Sequence, residues 1–241
     1  MATVKMVSDM EDLILTAPTL PLRVYAGACC CLAHAVLRWA DLLWSQKIHL
    51  TSDAVVGVCW EMKKKRVQTP WAALRAGFNN NDWALSWVEQ MDSADLPGDD
   101  FVLRAVSKDG CRFTPRIAGF NDCISMMRSL LIIAGMEADA AIKYTLHSWR
   151  HLLPTMARQL RLPESEQVEF GHWSVGPAMP KRYDAAACVT ELSAKHIINR
   201  AVLLGWSVVE PGCVANPAPP LPIITPSSAK PPPPRAPPVF K

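Results

Sequence analysis

The chain has 241 residues, half of them hydrophobic and a fifth charged, with a net charge of +3 at pH 7. That is enough for one large or two small domains with a sizeable core, and it excludes a chain disordered throughout. A charge this small does not by itself point to nucleic acid, so a local cluster such as MKKKR at 62–66 has to carry that case.

Residues 1–19 read as a ragged leader with one short apolar turn, MEDLIL. Lys5, Asp9, Glu11 and Asp12 interrupt it, so it is not a signal peptide. From Leu20 to Ser45 apolar residues recur at three- and four-residue steps, which predicts a helix. Its most apolar part, Val24 to Leu37, is short for a membrane span and suits a buried helix. DAVVGVCWE at 53–61 is β-rich and predicts a strand, and MKKKR then forms the hairpin turn or opens the next strand.

A helix is expected from Trp83 to about Met91, capped within Asn80–Asp82. FVLRAV at 101–106 suggests a short strand and KDG at 108–110 a tight turn. FNDCISMMRSLLIIAG at 120–135 predicts a helix ending at a glycine C-cap. Further helices are expected near 147–160 and 187–204. Past Trp206 prolines dominate, including PPPPRAPP, so residues 207–241 read as an extended, disordered tail. The class is α+β, mostly α-helical, with a small antiparallel sheet near residues 53–70.

Eight cysteines are present and none forms a C-x-x-C pair. Cys29, Cys30 and Cys31 are consecutive in an apolar run, a poor grip for a tetrahedral metal. They read as buried thiols in a reducing compartment.

Several polar residues lack an obvious structural use. Arg38 lies late in the first apolar segment, three residues before Asp41. Lys63, Lys64 and Lys65 follow the predicted strand. His147 and Arg150 are three apart and share a helix face. His172 follows Gly171, and Tyr183 follows 11 residues after His172. Taken singly each has a plain reading: a helix ion pair, a solvated turn, a hydrogen-bonded core histidine, a packing tyrosine. Taken together they describe one chemistry. Arginine forks match phosphate oxygens, lysine and histidine exchange protons, and a tyrosine hydroxyl can attack phosphorus. No acidic cluster marks a magnesium site, as a metal-free scheme predicts.

The order R … K … H-x-x-R … H … Y resembles the catalytic domain of the tyrosine recombinases, the phage-integrase family. VLRWADLLWSQKIHL at 36–50 resembles its first-arginine segment, TLHSWRHLLPTM at 145–156 its H-x-x-R-H helix start, and FGHWS at 170–174 its Gly-His segment. The likeness covers roughly 20–206, implying a tyrosine-recombinase-like catalytic domain over that range. It implies that Tyr183 attacks the scissile phosphate and becomes a 3′-phosphotyrosine. Arg38 and Arg150 would clamp the non-bridging oxygens, His147 would assist as base, and His172 would hydrogen-bond the phosphate. Lys63 or Lys64 would protonate the departing 5′ oxygen.

The resemblance further implies duplex DNA as substrate and a homo-tetramer on DNA, with the helix near 187–204 packing against a neighbour. No cofactor, metal or membrane is implied. The location would be intracellular: the nucleus in a eukaryote, otherwise the cytoplasm or nucleoid. Competing readings are a DNA-binding mobile-element remnant that no longer recombines, a type IB topoisomerase-like enzyme, and a non-enzymatic helical interaction module whose proline-rich tail docks on aromatic grooves of a protein partner. About 20 residues precede the first predicted helix, where the family carries a helical domain that clasps DNA, which favours the remnant.

Overall fold

A computed structural model describes residues 1–60, 68–96, 101–163 and 185–209. Its class is α+β: helices around one core, with a small three-stranded antiparallel sheet and a separate two-stranded hairpin. The segment expected to be a ragged leader is instead helix α1 (Val4–Thr16). Thr3 caps it, its hydroxyl accepting Met6 N–H at 3.2 Å. Met6, Val7, Met10, Leu13 and Ile14 form one buried stripe against α2 (Leu20–His34). The three acids and one lysine that break the sequence pattern sit mostly on the other face, with Glu11 the buried exception.

Helix α2 is buried on almost every side, which suits its near-continuous apolar run. It does not continue to Ser45. The chain leaves the helix at Ala35, passes through Val36 at φ 54°, and restarts as the short α3 (Trp39–Leu43). A left-handed φ is costly for a β-branched residue, so it persists only where packing demands it. Ala35, Val36 and Leu37 are all essentially inaccessible. That burial explains why apolar periodicity ran straight through a turn.

Strands β1 (Ser45–Leu50), β2 (Ala54–Trp60) and β3 (Gln68–Leu74) follow in that order, each antiparallel to the next. The sheet therefore begins earlier and ends later than expected. β1 carries a bulge between Gln46 and His49, with Lys47 at φ 54°. Trp71 lies across Gly57, where a Cβ would come within 2.6 Å of the indole, and its Nε1 donates to Ser45 Oγ at 2.9 Å.

Helix α4 (Trp83–Ser93) starts where expected, with Asp82 accepting Leu85 N–H at 3.0 Å. β4 (Arg104–Val106) pairs with β5 (Phe113–Ile117), a strand not anticipated from sequence, through a turn with Gly110 at φ 73°. α5 (Phe120–Ile133) matches its expectation and is followed by Gly135 at φ 91°. α6 (Ala138–Ala141), α7 (Leu146–Arg150) and α8 (Leu152–Gln159) are shorter pieces. His151 separates α7 from α8, so Pro154 falls in the first turn of α8, where its missing N–H is harmless.

The last described helix is α9 (Ala185–Leu203). It packs on β3 and α8 of its own chain. Ala194, Ile198 and Ala201 are inaccessible, while Leu203 is exposed. Lys195, 3% exposed, donates Nζ to Ala72 O at 2.6 Å. Asn199 Nδ2 donates to Ala76 O at 3.3 Å. The proline-rich stretch from 210 onward lies outside the described residues.

Cys29, Cys30, Cys31, Cys59 and Cys123 are free and buried, and Cys111 is free and exposed. Burial pushes the thiols of Cys29, Cys30 and Cys31 well up, and that of Cys123 up to about 12, so these groups stay neutral packing elements. The side chains of Cys188 and Cys213 lie outside the described residues. Among the described residues no helix is long and apolar enough to cross a membrane.

Candidate active site

Arg38 stands at the N-cap of α3, with its side chain exposed. Its position follows from the break after α2: had α2 continued, Arg38 would sit within a buried helix. Asp41, one turn on, turns back so that its Oδ2 accepts Arg38 N–H at 3.3 Å. The carboxylate thus ends up beside the arginine backbone at the start of α3.

His147 and Arg150 both lie on α7, a helix of five residues. So short a helix does not hold itself. Thr145 N–H donates to Ser148 Oγ at 3.1 Å at its start. Trp149 turns fully inward, and its Nε1 donates to Met127 Sδ of α5 at 2.9 Å. Ala2 N–H donates to Ser148 O at 2.9 Å, so α1 also leans on this segment. With Trp149 fixed inward, His147 is left exposed, and Arg150, 6% exposed, lies against the core.

The charge of Arg38 reaches Arg150. Burial holds the Arg150 guanidinium below its ordinary pKa, the nearby Arg38 charge lowers it further, and Asp41 acts in the opposite sense. Arginine remains protonated under such shifts. The result is two like charges from distant parts of the chain near enough to act on one another, with the Asp41 carboxylate also within electrostatic reach of Arg150. Such a pair is more stable with an anion that offers two oxygens, as a phosphodiester does.

His147 and His151 stand edge to face, ring centroids 4.4 Å apart and planes at 88°. Burial, then the charges of His147 and Arg150, push the His151 imidazole below its usual pKa. His151 is thus held away from its charged form beside His147.

Lys63 and Lys64 fall in 61–67, and His172 and Tyr183 in 164–184, all outside the described residues. The described strands nonetheless bound the lysine segment: Trp60 pairs with Gln68 across the β2–β3 ladder. Of the expected site residues, the structure describes Arg38 at the N-cap of α3 and His147 and Arg150 on α7, with the Arg38 charge felt at Arg150.

Sequence reasoning missed one buried polar centre. Glu11 of α1, 3% exposed, meets His34 Nε2 at 2.8 Å and accepts Phe78 N–H at 3.0 Å and Asn79 N–H at 3.3 Å. His34 is stacked on Trp83 at 5.3 Å and tilted against Phe78 at 4.8 Å. The signal was an acid inside an apolar turn and a histidine inside an apolar helix, but nothing in the sequence pairs them. The carboxylate's partners are an imidazole and two backbone amides, which satisfy its buried oxygens.

Among the described residues no group of three or more His, Cys, Asp and Glu side chains is arranged to hold a metal ion. No family model and no curated protein matches the chain.

Proposed function

We propose that this protein is a DNA strand transferase of the tyrosine-recombinase type. The observation that carries this reading is that Arg38, at the N-cap of α3, and Arg150, on α7, lie near enough for the Arg38 charge to bear on Arg150, with His147 one turn from Arg150 on α7. A second support is the order of elements after Arg38: a short helix, then three antiparallel strands whose β2–β3 connection contains Lys63 and Lys64.

In this reading Arg38 and Arg150 hold the two non-bridging oxygens of a scissile phosphate and stabilise the negative charge of the five-coordinate transition state. The Tyr183 hydroxyl attacks phosphorus, with its proton drawn toward His147. The bond from phosphorus to the 5′ oxygen breaks, and Lys63 or Lys64 supplies the proton to that oxygen. The products are a 3′-phosphotyrosine and a free 5′ hydroxyl. Attack by a 5′ hydroxyl reverses the step, because the phosphodiester is exchanged and never hydrolysed. His172 would add a hydrogen bond to the phosphate, and a homo-tetramer on two duplexes would complete an exchange.

The test is a nicked duplex whose cleaved 5′ end diffuses away and traps the intermediate. Wild-type protein is expected to form a covalent protein–DNA adduct, and Tyr183→Phe to form none. Duplex binding without any adduct would instead favour a remnant that has lost its chemistry.

A further inference from the structure

The helix that carries His147 and Arg150 is too short to orient itself, so whatever clamps it governs the site. Two consecutive residues of α5 do this. Met127 receives the Trp149 indole N–H at 2.9 Å, which anchors the C-terminal half of α7. Arg128, partly buried, reaches the segment leading into α7: its Nη2 donates to Ile142 O at 2.7 Å and, at longer range, to Tyr144 O at 3.4 Å. Ile142 caps α6, and Tyr144 immediately precedes Thr145, the N-cap of α7.

A charged donor shared by two carbonyls makes strong, directional bonds, and a guanidinium holds its donors in a rigid plane. The backbone amides of Lys143 and Tyr144 already fold back on Ala140 O and Ala141 O at 3.2 and 3.1 Å. Arg128 closes the same turn from outside. With Trp149 pinned at one end and the 142–144 turn at the other, α7 has little freedom to roll. Its roll sets where His147 points relative to Arg38, which stands on a different element.

We propose that Arg128 is a positioning residue for the candidate site, setting the orientation of α7 and so of His147 and Arg150. This inference rests on the reading of those two residues as the phosphate site. Arg128 itself touches neither of them through any bond described above; it acts through the 142–144 turn.

The test compares the full-length chain with Arg128→Met, which removes the donors, and Arg128→Lys, which keeps the charge and a single flexible donor. Two quantities are read. The first needs no activity: the His147 and His151 ring proton resonances of the DNA-free protein, assigned with His147→Gln and His151→Gln. Rings held edge to face shift each other's signals strongly, so Arg128→Met is expected to move both toward free-histidine positions and Arg128→Lys to move them part way. The second is the rate of adduct formation at saturating nicked duplex. It is expected to fall about 10- to 100-fold in Arg128→Met, as a displacement on the order of an ångström does at a reacting centre. Duplex affinity is expected to stay within about twofold, because backbone contacts spread over the surface dominate it.

Resonances that stay put in a folded Arg128→Met overturn the inference, as does an unchanged adduct rate in an active protein. If Arg128→Met does not fold, Arg128→Lys decides by the same two criteria. A wild-type protein that forms no adduct counts against the strand-transferase reading alone, and the histidine resonances then decide the role of Arg128.

Discussion

Glu11 and His34 are the residues on which the helical core depends most sharply. Burying a carboxylate is costly unless donors meet it, and here an imidazole and two backbone amides do. Glu11→Ala would leave His34 and the amides of Phe78 and Asn79 buried without their acceptor. Breaking a buried pair from one side costs about 3–5 kcal/mol, so a large fall in the urea midpoint is expected. At the candidate site the imidazole of His151 offers a second test. Burial first, and then His147 and Arg150, hold its pKa below the ordinary value. The unfolded chain therefore binds the proton more readily. Stability should be unaffected well above pH 6.5, roughly the free imidazole value, and should decline as pH falls from there through the lower folded pKa. The urea midpoint followed between pH 7.5 and 5 is expected to drop less steeply in His151→Asn than in wild type. Because His151 is exposed, salt should weaken the difference. Part of this residue-level picture is legible in the sequence: a tryptophan between His147 and Arg150 suits an inward anchor for the segment, and Trp149 is inaccessible. The Glu11–His34 pair was not, because its members lie 23 positions apart on different helices.

At the level of elements, close helix contact is bought with glycine in one place. A Cβ on Gly27 of α2 would lie 1.9 Å from the Trp87 ring of α4, whose Nε1 donates to Val24 O at 3.1 Å. In an exposed helix Gly→Ala gains up to about 1 kcal/mol. Here the ring must move and its hydrogen bond must stretch, and overpacking of this kind costs about 1–3 kcal/mol. The second effect wins, so Gly27→Ala is expected to destabilise, measurable as a lower thermal midpoint. Helices α4 and α5 were legible because capping residues and glycine stops frame them. The break between α2 and α3 was not, since its three turn residues are as buried and apolar as the helix before them. β1, which begins where that predicted helix ends, was not anticipated for a different reason: its bulge at Lys47 spoils the strict alternation that marks a strand. Pro154 gave the opposite outcome, since a proline tolerates only the first turn of a helix and α8 begins at Leu152.

For the molecule as a whole, the functional reading depends on a nearness of Arg38 and Arg150 that no local pattern contains. It arises because α2 is the hub on which α1, α4, α5 and α7 pack, and Arg38 follows directly on the end of α2. The docking of α9 through Lys195 onto β3 and through Asn199 onto Ala76 just beyond it is equally invisible in the sequence. By itself the sequence determined the residue types and their order, the α+β class, most of the helices and the β2 strand. These follow from propensity, capping and periodicity, which act over a turn or a strand length. Only the tertiary structure decided where the first long helix breaks, that the opening segment is part of the core, and that two arginines far apart in the chain come near enough for one charge to act on the other. Those outcomes follow from packing between distant segments, and spacing along a chain constrains only near neighbours.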